Sequence, residues 1–226
     1  MTRLRLLGGP NSPFVRKVLI ALIEKGLLDQ VDLVRLSPPA TSITVHDMLL
    51  THNPLGKIPV LTVGDGPDLY ESDLICEYLE ATFPDPALLA VGQERWQTLR
   101  WNALGTGALE MLILWRGERL RPAEQRSDAT IIAFAAKLKA VLAAMERDLP
   151  ALAASPFGLG HIAWGCFLGY LDFRFNDLDW RGQWPDGAAW YDAFLERPSA
   201  AATLPDPDPA ARPHPLRLAR QRLTWG

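Results

Sequence analysis

The stretch Asn53-Pro54-Leu55-Gly56-Lys57-Ile58-Pro59-Val60-Leu61 decides the reading of this chain. A proline at the entrance of the apolar run Ile58 to Val63 has no N–H to give a sheet ladder, so it needs an edge position or a special local geometry. An ordinary proline at a strand's first residue meets that need, and so does a cis Ile58–Pro59 bond. In the cis form the backbone N–H and C=O of Ile58 would turn toward an extended, peptide-like ligand, which could pair with them as a short strand does. Lys57, next to it, is either a solvated charge or the partner of a ligand carboxylate.

Upstream, residues 3 to 7 alternate charged and apolar side chains, the period of a half-buried strand, and Gly8-Gly9-Pro10-Asn11 breaks it. Ser12-Pro13 then supplies a helix N-cap followed by proline at the first helical position. Phe14, Val15, Val18, Leu19, Leu22 and Ile23 recur at helical spacing as far as Gly26. As a cap alone, Ser12 is worth about 1 kcal/mol. Its hydroxyl also stands where unpaired N–H groups and the positive dipole end favour an anion, a bound thiolate included. Val31 to Leu36 reads as a second strand and Thr41 to Thr51 as a short helical stretch.

Downstream, Gly64-Asp65-Gly66 is turn chemistry and Asp68-Leu69-Tyr70 is a very short fourth strand. Ser72 opens a helix carrying Leu74, Ile75, Tyr78 and Leu79 that ends near Pro84. The triplet Glu71-Ser72-Asp73 is either a plain cap with an acidic first turn or a holder for one end of an amino acid. In the second case Ser72 and the helix N–H groups suit a carboxylate, and Glu71 suits an ammonium.

Strands and helices alternating through residues 1–82 predict an α/β layer with a mixed sheet. Phe83-Pro84-Asp85-Pro86 starts a linker over 83–93. Residues 94–204 show no alternating strand but long helical patterns, Glu94 to Arg119, Ala123 to Leu149, Ile162 to Phe175 and the short Gly187 to Glu196, which predict an all-helical domain. In the tail, 205–226, closely spaced prolines exclude regular structure until Leu216 to Trp225, a short turn or helix that can dock back.

Composition narrows the classes. Hydrophobic residues at 48% and charged ones at 22% permit a proper core over 226 residues, enough for two small domains. The formal charge of -3 favours no nucleic-acid partner. The opening Met1-Thr2-Arg3-Leu4-Arg5-Leu6-Leu7 is neither a signal peptide nor a membrane anchor, so no membrane association and a cytoplasmic location are expected. Cys76 and Cys166 lie far apart in apolar helical patterns, without metal-ligand or C-x-x-C spacing, and are expected to be buried and inert.

Taken in order, the three segments Ser12-Pro13-Phe14-Val15-Arg16-Lys17-Val18, Asn53 to Leu61 and Glu71-Ser72-Asp73, with the proline-rich linker and helical remainder behind them, resemble glutathione transferases of the bacterial serine type over residues 1 to about 203. The resemblance implies a thioredoxin-like N-terminal domain and an all-α C-terminal domain. It implies that Ser12 is the catalytic group beside the glutathione sulfur, with Phe14 and Lys57 also in the glutathione site. Ile58 before cis-Pro59 would pair with the cysteinyl backbone, and Glu71 and Ser72 would hold the γ-glutamyl end. Glutathione would be a co-substrate, with no metal and no nucleotide, and the protein a homodimer acting on a small, largely apolar electrophile. Glutathione-dependent isomerisation, and a non-catalytic binding or scaffold role, are the alternatives.

Two departures stand out. The run Gly105-Thr106-Gly107-Ala108-Leu109-Glu110 sits where related bacterial sequences carry alanine-aspartate-glycine, and no aspartate lies between Glu94 and Gly117. His161 occupies the place of a serine or threonine cap before the buried helix, and a structural role is expected for it. Of the eight tryptophans, all beyond the linker, most are expected in the core. Arg116, Arg119 and Arg121 read as a solvated helix end or as an attraction for an anionic co-substrate.

Overall fold

The computed structural model describes residues 3–36 and 45–205. The first part of the predicted stretch Thr41 to Thr51, and the tail beyond Pro205 with its proposed docking segment, lie outside the described residues. The chain divides into two compact units: Met1–Leu88 together with the chain from Pro198 on, and Leu89–Arg197.

In the first unit β1 (Leu4–Gly8), β2 (Val31–Arg35), β3 (Val60–Val63) and β4 (Leu69–Tyr70) form one mixed sheet in the order β2-β1-β3-β4. β1 runs parallel to β2, and β3 is antiparallel to both β1 and β4. Helix α1 (Pro13–Glu24) follows β1, α2 (Asp47–His52) precedes β3 and α3 (Ser72–Thr82) follows β4. Pleating sends Leu7 and Val60 to one face, where they join Leu36 and Leu49 of α2 in a buried cluster. The paired Leu6 and Leu61 are left for the other face, and both are fully buried.

Helix α1 is the centre of this unit. Val15, Val18, Leu19, Ile20 and Leu22 are all fully buried, each contributing about 1.5–3 kcal/mol. It packs against α3 and against α9 (Pro198–Ala202), so the chain returns to the first unit after the second is complete. At its end Lys25 is fully partnered: its ammonium donates to the carbonyls of Phe83 at 2.7 Å and Pro86 at 2.9 Å and meets Glu80 at 2.8 Å. Glu80 also accepts from Leu88 N–H at 3.1 Å, so the proline-rich segment is held down by side chains.

The second unit is built from α4 (Gln93–Arg119), α5 (Asp128–Ala154), α6 (Leu159–Arg174), α7 (Trp180–Gln183) and α8 (Pro185–Leu195). Helix α5 differs from its predicted span Ala123 to Leu149. Ser127 caps it by accepting from Thr130 N–H at 3.2 Å, and it runs on to Ala154 through Pro150, which has no N–H to give the helix ladder. Helix α7 was not foreseen; four residues are too few to show a period, but Asp179 caps it through Gly182 N–H at 3.0 Å. Helix α6 is buried from Leu159 to Leu171, and α4 lies directly on it. A Cβ on Gly105 would come within 2.8 Å of the Ala163 backbone, and one on Gly160 within 2.9 Å of Trp101. Trp101, Trp115, Trp164, Trp180 and Trp184 are buried as expected, while Trp96 is exposed. Cys76 and Cys166 are both buried, as expected.

Candidate functional site

The sheet register brings the three sequence segments together. Leu7 of β1 pairs with Val60 of β3, and Val60 pairs with Tyr70 of β4, so the three lie in one row. Ser12 comes shortly after the end of β1, Ile58–Pro59 directly before Val60, and Glu71–Ser72 directly after Tyr70. All three therefore sit at the same end of the sheet. The loops also touch there: a Cβ on Gly9 would lie 3.4 Å from Ile58 Cδ1.

Ser12 has extended backbone angles, and its Oγ accepts from Val15 N–H at 3.3 Å, the geometry of an N-cap. That bond uses a lone pair and leaves the hydroxyl proton free to donate. In the first turn of α1, Pro13 has no N–H and Arg16 N–H donates to the Ser12 carbonyl at 3.0 Å. Among the described contacts, Phe14 N–H is the first-turn amide left without an acceptor. No acidic residue stands in this first turn to offset the positive end of the helix.

The Ile58–Pro59 bond is cis. Pro59 is buried, Ile58 half-buried and Lys57 exposed, so the lysine is placed to meet solvent or a ligand. The turn that presents them depends on Asn53, which is only 1% exposed. Its Oδ1 accepts from Leu55 N–H at 2.9 Å and its Nδ2 donates to the Lys57 carbonyl at 2.8 Å. Asn53 had no assigned role in the sequence, although an Asn before Pro-x-Gly is a recognisable side-chain-closed turn. Asp68 adds a second brace, pairing with His52 at 2.6 Å and accepting from Thr62 Oγ.

Glu71 takes φ 83°, ψ 126°, a region that costs a non-glycine residue about 1–3 kcal/mol. It is Glu71, rather than Ser72, that caps α3, with its carboxylate accepting from Asp73 N–H at 3.0 Å. Ser72 is fully buried and its hydroxyl donates to Glu71 at 3.4 Å, so it orients the carboxylate from behind. Two charges of the first segment also turn inward. Arg16 donates to the Ala200 carbonyl at 3.2 Å and to Thr203 Oγ1 at 3.4 Å, and the buried Lys17 pairs with Asp73. These two tie α1 to α9 and α3, whereas Ser12 and Phe14 are half-buried at the start of the helix.

In the second unit, the run from Gly105 to Glu110 follows packing: Gly105 allows the close approach to Ala163, and Gly107 is exposed. His161 is structural, its Nδ1 accepting from Gly158 N–H at 3.3 Å at the start of α6. Burial pushes its pKa down to about 4, against a hydrogen bond to the Leu152 backbone that favours the charged form and with a smaller push from Arg197. Arg119 pairs with Asp177 at 2.7 Å and Arg121 with Glu118 at 3.0 Å. Among the described residues no group of His, Cys, Asp and Glu could hold a metal ion, and no helix is long and apolar enough to cross a membrane.

Comparison with known proteins agrees with this geometry. Family models for the N-terminal and C-terminal domains of glutathione S-transferases match residues 11–82 and 118–193. The uncharacterized GST-like protein YibF of Escherichia coli (strain K12) is 30% identical over 205 residues, 89% of this chain and 98% of that protein. A glutathione transferase family member from Pseudomonas fluorescens Pf-5, solved with bound glutathione, superposes with a TM-score of 0.85 at 38% identity, over 90% of this chain and 99% of that one. A glutathione S-transferase from Methylobacterium radiotolerans JCM 2831, in complex with glutathione sulfonate, gives a TM-score of 0.80 at 36% identity over 92% and 97%.

Proposed function

The chain belongs to the glutathione S-transferase superfamily, and we propose that it binds glutathione, ionises its thiol and transfers the thiolate to a small, largely apolar electrophile. The observation that carries this reading is the register Leu7–Val60–Tyr70, which gathers Ser12, Ile58–Pro59 and Glu71 at one end of the sheet. In this reading the Ser12 hydroxyl proton and the Phe14 N–H face the sulfur, and the Ile58 backbone pairs with the cysteinyl residue. Lys57 meets a ligand carboxylate. The Glu71 carboxylate has lone pairs beyond the one given to Asp73, and these accept from the γ-glutamyl ammonium while Ser72 holds Glu71 in place.

The energetic demand is modest. A thiol with a pKa near 8.5 is a few per cent ionised at neutral pH, and lowering that pKa by about 2 units takes roughly 2.7 kcal/mol of preference for the thiolate. A charge-assisted hydrogen bond and a helix N-terminus together supply that amount. The sulfur then bonds to the electrophilic carbon and the leaving group departs with its electron pair. The attacking atom belongs to glutathione, so no nucleophile from the chain is required.

Glutathione at about 100 times its dissociation constant is expected to add about 2.7 kcal/mol of stability, read as a rise in Tm. The absence of both a Tm shift and calorimetric binding at millimolar glutathione would overturn the proposal. Binding without turnover of any electrophile would favour a non-catalytic role.

A further inference from the structure

Helices α4 and α6 run in the same direction. Trp101 meets Gly160 and accepts through its carbonyl from Trp164 Nε1 at 3.0 Å, Gly105 meets Ala163, and Trp115 meets Phe175 with ring centroids 5.2 Å apart. Their C-terminal ends therefore lie side by side, and each brings arginines: Arg116 and Arg119 from α4, Arg174 from α6. Cations at helix C-termini are favourable, and Arg119 shows the ordinary arrangement, paired with Asp177. Arg116 and Arg174 have no carboxylate partner among the described residues; Arg174 instead feels the Arg116 charge.

Burial and the Arg116 charge both work against protonation of Arg174, with Tyr170, whose hydroxyl is within hydrogen-bonding reach, in partial compensation. Burial holds the Tyr170 phenol above its usual pKa despite both arginines, so it remains a neutral donor. The same end contains buried donors without acceptors among the described residues: Arg174 Nε, Arg119 Nη1 and Trp115 Nε1. These three buried donors, and the charges of Arg116 and Arg174, call for an acceptor that the described side chains do not supply. Aromatic faces border the guanidinium groups, Phe173 at 3.8 Å from Arg174 and Phe175 at 4.9 Å from Arg119.

We propose that the adjoining C-terminal ends of α4 and α6 form a binding site for the carboxylate of a small aromatic or apolar acid, with Arg116 and Arg174 as its charge partners and Tyr170 as a neutral donor. A carboxylate supplies two acceptor oxygens and one negative charge, and its planar shape matches a guanidinium. The site lies within the helical unit and does not depend on the glutathione reading.

Benzoate and benzamide, which share size and shape, test it by calorimetry on the full chain, with and without glutathione. Benzoate is expected to bind at least about tenfold more tightly than benzamide. Arg116→Gln and Arg174→Gln should each weaken benzoate by about tenfold, Tyr170→Phe by about threefold, and the charge control Arg121→Gln by less than about twofold. Melting curves check that each variant folds, and the half-buried Arg116 keeps the test available if Arg174→Gln does not. Equal affinity for acid and amide, no benzoate binding at tens of millimolar, or an equal loss in Arg121→Gln overturns the site. Because the titration does not require glutathione, loss of this proposal and loss of the transferase reading are separate results.

Discussion

The hydroxyl oxygen of Ser12 accepts a hydrogen bond from the amide of Val15 at 3.3 Å, so the residue that caps α1 keeps its own proton for another acceptor. Capping and the proposed thiolate stabilisation would use different parts of one hydroxyl, so both can be measured at once. Ser12→Ala is expected to lose about 1 kcal/mol of stability through the cap. It should also raise the pKa of bound glutathione while leaving affinity at low pH nearly intact, since the neutral thiol gains little from that bond. Turnover at neutral pH then drops more than binding. Thiolate absorbance against pH in wild type and variant is the check, and an unmoved midpoint would remove Ser12 from the mechanism.

Asn53 is the support of the turn that carries Lys57 and Ile58. Removing its side chain in Asn53→Ala strips partners from Leu55 N–H and the Lys57 carbonyl, for a loss of about 1–3 kcal/mol. Glutathione affinity should fall in the same variant although Asn53 is buried. Thermal melts and calorimetry in parallel test this, and unchanged affinity in the folded variant would show that the turn holds its shape without it.

His161 makes stability depend on pH. Its pKa is about 4 in the folded chain against an ordinary 6.5, so as pH falls the unfolded state takes up the proton first. Its contribution is complete above pH 6.5, shrinks through the window down to about 4, and changes no further below it. The full loss is about 3 kcal/mol. His161→Gln keeps a side chain able to reach back to the Gly158 N–H but does not titrate. Denaturant unfolding across this range should show a shallower decline in the variant, and parallel curves would contradict the assignment.

Two glycines of α4 should respond in opposite directions to the same substitution. A methyl on Gly105 would come within 2.8 Å of the Ala163 backbone, so Gly105→Ala is expected to cost about 1–3 kcal/mol. On Gly107 it would meet nothing within 4 Å, and Gly107→Ala should stabilise by about 0.5–1 kcal/mol through helix propensity. Chemical denaturation of the two variants decides, and a neutral Gly105→Ala would mean that the α4–α6 contact yields easily.

Local chemistry was enough to specify much of this protein. Turn residues and hydrophobic periods marked the four strands, α1, α3 and the long helices, because those signals act over a few residues. The segments at Ser12, Ile58–Pro59 and Glu71–Ser72 were legible for the same reason. What distant chain decides could not be read. The register that sets Leu7 beside Val60 and Val60 beside Tyr70 gathers three separate segments at one end of the sheet. The positive φ of Glu71 makes it the cap in place of Ser72. Nothing local marks Arg16 and Lys17 as buried, because their partners Ala200, Thr203 and Asp73 stand far along the chain. The Arg16 bonds are among the contacts that join α9 to the first unit. A buried charge is settled by whatever acceptor folding brings to it, and only the tertiary structure supplies that acceptor.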